Sequence, residues 1–157
     1  MKKVIVIGCP GSGKSTFSRA LYKITDIPLF HLDMMYWNSD RTIVDKAVFR
    51  ERLSNAIQKN EWIIDGNYGS TLELRLQACD TVIFLDYPLD VCLDGIKERR
   101  GKVRTDMPWI ENEEDADAYL QTDAQLAEVA VTEQSHLGLY RVLQSLSAEE
   151  TNKRQGD

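Results

Sequence analysis

Eight residues near the start of the chain, Gly8-Cys9-Pro10-Gly11-Ser12-Gly13-Lys14-Ser15, fit the spacing G-x-x-x-x-G-K-[ST]. Glycines so placed let backbone N–H groups turn inward around a phosphate, and a helix opening at the end of the run adds its positive dipole pole to the same point. In such a phosphate-binding loop Lys14 reaches the β and γ phosphates of a nucleoside triphosphate, and Ser15 offers its hydroxyl to Mg2+. A chain of ordinary composition matches the pattern by chance with odds of about one in 200, so the match carries weight. With Thr16 extending the run, the candidate nucleotide-binding set is Gly8, Pro10, Gly11, Ser12, Gly13, Lys14, Ser15 and Thr16, and the implied cofactors are ATP and Mg2+.

Three aspartates, Asp33, Asp65 and Asp86, each follow a β-rich run. In a parallel sheet, ligands gather beyond the carboxyl ends of the strands, so these carboxylates are expected near the phosphates. Asp33, after Phe30-His31-Leu32, is suited to orienting an acceptor or taking a hydroxyl proton, with a plain strand-end role as the alternative. Asp65, in Trp62-Ile63-Ile64-Asp65-Gly66, has the apolar-run-then-Asp form of a Walker B element, which holds Mg2+ through water; a structural turn is its alternative. Asp86 precedes Tyr87-Pro88 and reads as shaping a helix start.

Lys97, Arg99, Arg100, Lys102 and Arg104 put five cations within eight residues. Such a cluster either closes over ATP as a lid, offsetting developing phosphoryl charge, or forms a solvated helix end. Arg75 stands between acceptor binding and a surface role. Tyr36, Trp37 and Tyr68 stand between stacking on a base or sugar and anchoring loops. His31 and His136 lack metal-ligand spacing and read as ordinary side chains.

Positioning these groups falls to an alternation of β-rich runs and helical patterns, the signature of βαβ units around a parallel sheet. The patterning predicts strands over 3–7, 28–32, 61–65 and 81–85. A helix over 14–24 aligns Phe17, Leu21 and Ile24 on one face; Asp45 caps another that lines up Val48, Phe49, Leu53, Ala56 and Ile57. Ser70 with Glu73 forms a capping box for a short helix toward Ala78, and Pro88 opens a helix over 89–100 that Gly101 ends. Residues 102–112 read as a loop, 113–131 as helical, 139–143 as a fifth strand, and Ser147 with Glu150 as the opening of a last helix. One domain over 1–157 is expected, with an acceptor-binding segment at about 33–60 and a lid at about 99–112.

Composition sets the exclusions. With 157 residues, 43% hydrophobic and 28% charged, the chain is globular rather than disordered or fibrous. No apolar run approaches the ~20 residues that cross a bilayer, and the charged-then-apolar start is too short for a signal peptide, so it reads as a strand. Three cysteines without a Cys-x-x-Cys pair suggest neither a disulfide framework nor zinc, and the expected compartment is the cytoplasm, with no membrane partner. A net charge of −6 opposes direct DNA binding. Asn152-Lys153 is followed by Arg154-Gln155, not the x-Asp of a guanine-reading element, which sets a GTPase aside. The length leaves no room for the subdomains of large ATP-driven machines, and a small phosphotransferase remains.

Gly8 to Thr16, His31-Leu32-Asp33, Trp62 to Tyr68 and Val82 to Pro88 together resemble the small adenylate-kinase-like P-loop kinases, and within them the bacterial group called DNA topology modulation proteins. The resemblance covers about residues 1–110, and Arg104-Thr105-Asp106-Met107-Pro108-Trp109 is similar to that group's lid. It implies an α/β P-loop NTPase fold of the nucleoside monophosphate kinase type, three layers around a five-stranded parallel sheet in the order 2-3-1-4-5. It also implies Lys14 and Ser15 as phosphate and Mg2+ ligands, and Arg99, Arg100 and Arg104 as lid arginines. Asn67-Tyr68-Gly69 stands where adenylate kinases carry Phe-Pro-Arg, and no Thr-Gly-Asp follows Asp33, so AMP is not named as the acceptor. The resulting expectation is an ATP- and Mg2+-dependent kinase of a small acceptor, a nucleotide or nucleoside, with Lys14, Asp33, Arg99, Arg100 and Arg104 catalytic and Ser15 and Asp65 serving the metal. The alternative is an ATP-binding regulatory module that engages a protein or DNA partner when its lid closes.

Overall fold

The computed structural model describes residues 1–99 and 102–109. Along the chain run β1 (Lys3–Gly8), α1 (Lys14–Thr25), β2 (Leu29–His31), α2 (Leu32–Tyr36), α3 (Lys46–Ile57), β3 (Trp62–Asp65), α4 (Gly69–Ala78), β4 (Thr81–Leu85) and α5 (Leu89–Glu98). The four strands form one sheet in the order β2-β3-β1-β4, every neighbouring pair parallel. That order matches the first four positions expected. The expected fifth strand, the helices over 113–131 and from Ser147, His136 and Arg100 lie outside the described residues.

β1 is apolar without alternation because both of its faces are covered. Val4 and Val6 pack with Ile27 and Ile63 on the side of α1, and Leu21 of that helix joins them. Ile5 and Ile7 pack on the opposite side with Trp62 and Ile64, under Phe49, Leu53 and Ala56 of α3 and Leu76 of α4. Helices on both faces of the sheet make three layers. The register then decides where the chemistry sits: Val6 pairs with Asp65, His31 pairs with Asp65 from the other side, and Gly8 pairs with Leu85. The carboxyl ends of all four strands therefore lie along one rim.

Four local expectations are corrected. β2 ends at His31, because Leu32 turns fully into the core against Gly66 and begins the short helix α2, placing Asp33 in a helical first turn. α4 opens at Gly69 behind Tyr68, whose backbone is left-handed at φ 31°, and no capping box forms. The cause lies in Arg75, which gathers the carbonyls just ahead of the helix and so fixes its start. The face predicted for α1 holds at Leu21 but not at Phe17 or Ile24: Ile24 is 82% exposed, whereas Ser18 is fully buried, its small side chain letting the helix lie close to the sheet. On α3, Val48 faces outward while Phe49, Leu53 and Ala56 are buried, and the Asp45 side chain accepts from the Ala47 N–H at 2.7 Å as expected of a cap. No helix among the described residues is long and apolar enough to cross a membrane.

Candidate functional site

The phosphate-binding loop leaves β1 at Gly8 and enters α1 at Lys14. Gly11 and Gly13 hold φ of 81° and 82°, the left-handed region that glycine enters without strain. Gly11 has a second reason to be glycine: a Cβ there would collide with the Cys92 carbonyl oxygen, and one on Gly95 would collide with the Gly11 carbonyl. Helix α5 is thus pressed backbone to backbone against the loop. Lys14 Nζ donates to the Gly8 and Cys9 carbonyls, each at 2.9 Å. Burial pushes the Lys14 ammonium below its ordinary value, while the nearby Asp65 and Asp33 charges push it back up. Ser12 Oγ is buried with no partner among the described residues. An orphan hydroxyl and a part-buried lysine in a glycine loop ahead of a helix fit a polyphosphate, and the Ser15 hydroxyl beside them fits its divalent cation.

The loop after β3 closes the next side. Asn67 Nδ2 donates to the Gly8 carbonyl at 2.8 Å, and Gly8 N–H donates to Asn67 Oδ1 at 3.2 Å. Tyr68 donates its phenol proton to Asp33 Oδ1 at 2.6 Å. Burial raises the Asp33 carboxyl above its ordinary value, opposed by the Tyr68 hydrogen bond and the Arg104 charge. Burial and the Asp33 charge hold the Tyr68 phenol far above its usual range, so it remains the donor. This loop is itself held by Arg75. The Arg75 side chain is fully buried and donates to the carbonyls of Gly66 at 2.9 Å, of Asn67, and of Tyr68 at 3.3 Å. Neither the acceptor role nor the surface role expected for Arg75 is seen: it is an internal brace. Burial lowers its guanidinium to about 10, which leaves it cationic at neutral pH.

Asp65 is buried, and both of its oxygens lie 2.9 Å from His31 Nδ1. His31 is therefore the partner of Asp65 rather than an ordinary strand residue. Segment 102–109 reaches over from the far side. Asp106, 4% exposed, accepts from Ser15 Oγ at 2.8 Å and from Arg104 Nη2 at 2.8 Å, with Arg19 Nη1 at 3.9 Å. Burial would raise this carboxyl, but Arg104 and the Ser15 hydroxyl together hold it well below the usual carboxylate range. Trp109 meets Trp37 edge to face at 5.4 Å, and the Arg41 guanidinium lies 6.0 Å from the Trp109 ring centre. Tyr36 packs on Trp37, Phe49 and Tyr68, so these aromatics tie α2 and α3 to the loop after β3.

The expected residues thus divide plainly. Lys14, Ser15, Asp33 and Arg104 converge on the rim. Arg99 closes α5 within electrostatic reach of Lys14. Arg100 lies outside the described residues.

No protein-family model matches the chain. A shikimate kinase from Rhodococcus jostii (strain RHA1) is 33% identical over 98 residues, 54% of this chain and 58% of that protein, so the chain matches little more than half the length of this curated relative. A gluconokinase from Sinorhizobium meliloti 1021 superposes with a TM-score of 0.51 at 16% identity, covering 84% of this chain and 78% of that one. The fold is that of the P-loop kinases. Within a P-loop kinase fold, sequence reasoning did not single out Asn67 and Asp106, and it named Asp65 without its pairing to His31. For Asn67 and Asp106 the signal was only membership of a quoted motif. For His31 and Asp65 it was sharper, since both end paired strands and paired residues share a face.

Proposed function

We propose that the protein is an ATP- and Mg2+-dependent phosphotransferase that phosphorylates a small hydroxyl- or phosphate-bearing acceptor. The observation that carries this reading is the convergence on one rim of the Lys14–Ser15 phosphate loop, the half-buried Asp33 carboxylate and the Arg104 side chain. Lys14 and the loop amides hold the β and γ phosphates of ATP, and Ser15 holds the cation, with Asp65 as the water-mediated carboxylate of the Walker B reading. Held there, Mg2+ would supply charge compensation for the phosphates. Asp33 orients the acceptor hydroxyl and takes its proton, with Tyr68 fixing the carboxylate. Arg99, Arg100 and Arg104 offset the charge that develops on the transferring phosphoryl group, so catalysis is positioning plus electrostatics.

Shikimate kinase and gluconokinase, by their names, act on small hydroxylated acids, which supports widening the expected acceptor from nucleotides and nucleosides to that class. The acceptor-facing segment is 33–60 and the lid 99–112. The finer likeness to DNA topology modulation proteins rests on the quoted motifs alone.

The test is ADP release from Mg-ATP against nucleoside monophosphates, nucleosides, polyols and hydroxylated carboxylic acids, with Lys14→Ala and Asp33→Asn alongside. One acceptor is expected to stimulate turnover, and each variant to lower it by about two orders of magnitude or more. Unchanged turnover in Lys14→Ala overturns the assignment. ATP binding without acceptor-dependent turnover, together with a partner whose affinity changes with ATP, favours the regulatory module. That second reading is motivated by the lack of a recognisable acceptor motif after Asp33.

A further inference from the structure

A serine hydroxyl that gives a lone pair to a metal ion still carries a proton, and the group that accepts this proton fixes the direction of the remaining lone pairs. In P-loop proteins the metal site pairs the loop Ser or Thr with the aspartate that ends a neighbouring strand. Here the strand-end aspartate has a histidine as its direct partner, which leaves it the water-mediated role given above: both oxygens of Asp65 lie 2.9 Å from His31 Nδ1. The carboxylate that receives the Ser15 proton is Asp106, at 2.8 Å, ninety-one residues away in sequence and on segment 102–109 rather than on the sheet. Arg104 grips the same carboxylate from two nitrogens, Nη2 at 2.8 Å and Nε at 3.3 Å, so Asp106 is fully partnered and need not touch a cation itself. The same segment rests on α1 through Arg19, which reaches Thr105 Oγ1 at 3.4 Å, and on the acceptor side through Trp109 and Trp37.

We infer that Asp106 is the positioning residue of the nucleotide's divalent-cation site, accepting the Ser15 hydroxyl proton in place of a strand-end aspartate and so tying cation affinity to the seating of segment 102–109. The inference rests on the ATP reading above. It gives the arginine-bearing segment a second task besides charge compensation: its seating turns Ser15 toward the metal, so the cation and the lid assemble as one unit.

The experiment is calorimetric titration of the full chain with ATP, once in EDTA and once in Mg2+, for wild type, Asp106→Ala, Asp106→Asn, Ser15→Ala and the Ser15→Ala/Asp106→Ala double variant. The readout is the factor by which Mg2+ tightens ATP binding. Loss of an outer partner of a metal ligand lowers metal affinity about 10- to 100-fold, and that is the expected fall of the Mg2+ factor in Asp106→Ala, with metal-free ATP affinity within about 3-fold of wild type. Asp106→Asn keeps an acceptor oxygen and the side-chain size, so it retains an intermediate factor and guards against misfolding of the alanine variant. In the Ser15→Ala background the Asp106 substitution should add nothing, because its partner is gone. An equal loss of ATP affinity with and without Mg2+, or an undiminished Asp106 effect when Ser15 is alanine, reduces Asp106 to a brace for the segment and overturns the inference. Wild-type protein that binds no ATP overturns the ATP reading and this inference together, whereas Mg2+-dependent binding indifferent to Asp106 overturns this inference alone.

Discussion

Arg75 offers the sharpest quantitative test of how the site is built. Its guanidinium, fully buried on α4, satisfies three consecutive carbonyls, those of Gly66, Asn67 and Tyr68. Arg75→Met keeps the apolar stem and shape but removes every donor. Counting the bonds to Gly66 and Asn67 alone, and with hydrogen bonds to a charged group contributing about 1.5–3 kcal/mol each, the gross loss is about 3–6 kcal/mol. Release of a buried cation from its desolvation cost returns part of this, so a net destabilisation of about 2–4 kcal/mol is expected. With a urea slope of about 1–3 kcal/mol/M, the unfolding midpoint falls by about 0.7–4 M, the slope itself unchanged. Arg75→Lys should recover less than half, because one ammonium cannot present the planar fork that meets three carbonyls of a curved loop. Urea unfolding followed by tryptophan fluorescence reads both variants, since buried Trp62 lies in the core beside this loop's strand. A loss below about 0.5 kcal/mol in Arg75→Met, or a lysine variant as stable as wild type, refutes the brace.

Two further outcomes follow from the same geometry. Tyr68→Phe removes the proton donor to Asp33 at 2.6 Å. That bond favours the ionised carboxylate against burial, so its loss raises the Asp33 pKa further and moves the acid limb of acceptor-stimulated kcat/KM upward by about one unit. The stability difference from wild type should be largest where Asp33 is ionised and shrink as pH falls through its folded-state pKa; a pH–rate profile with an unmoved limb separates Asp33 from proton transfer. Gly95→Ala drives a methyl group into the Gly11 carbonyl and should cost about 1–3 kcal/mol while loosening ATP binding. Gly69→Ala, with nothing near its added Cβ, should stay within about 0.5 kcal/mol of wild type in the same thermal melts.

Much of the fold was legible because its main strands carry an unambiguous code. The apolar run Val4 to Ile7, followed directly by the glycine loop and a helix, has one reading, and the strand order among the described residues agrees with it. The Asp45 cap was equally plain. Legibility failed where two local rules competed. Ser70 and Glu73 satisfy a capping pattern, yet Arg75, five residues beyond Ser70, sets the start of α4 through carbonyls upstream of it. Spacing put Phe17 and Ile24 on the inner face of α1, but helix-to-sheet distance chose the small Ser18 instead.

The site was legible in its donor half and obscure in its connections, for a physical reason. The proposed phosphate cradle consists of backbone amides and one lysine within eight consecutive residues, so local spacing carries nearly all of the information. The parts that orient those residues act between distant segments: Asp106 on Ser15, Asn67 on Gly8, Tyr68 on Asp33. The brace behind the Asn67–Tyr68 loop did leave a trace. On α4, Thr71, Arg75 and Leu76 are buried and Leu72 packs beside them, so Arg75 stands at the helical spacing of an inward face, and a charged residue in such a place must have partners inside. Asp106 left no periodic trace, because segment 102–109 forms no helix or strand, and its carboxylate is defined only by what it meets. Asp106 meets both Arg104 and the Ser15 hydroxyl, so on the reading proposed above the seating of segment 102–109 and the orientation of Ser15 toward a bound nucleotide are coupled through one carboxylate.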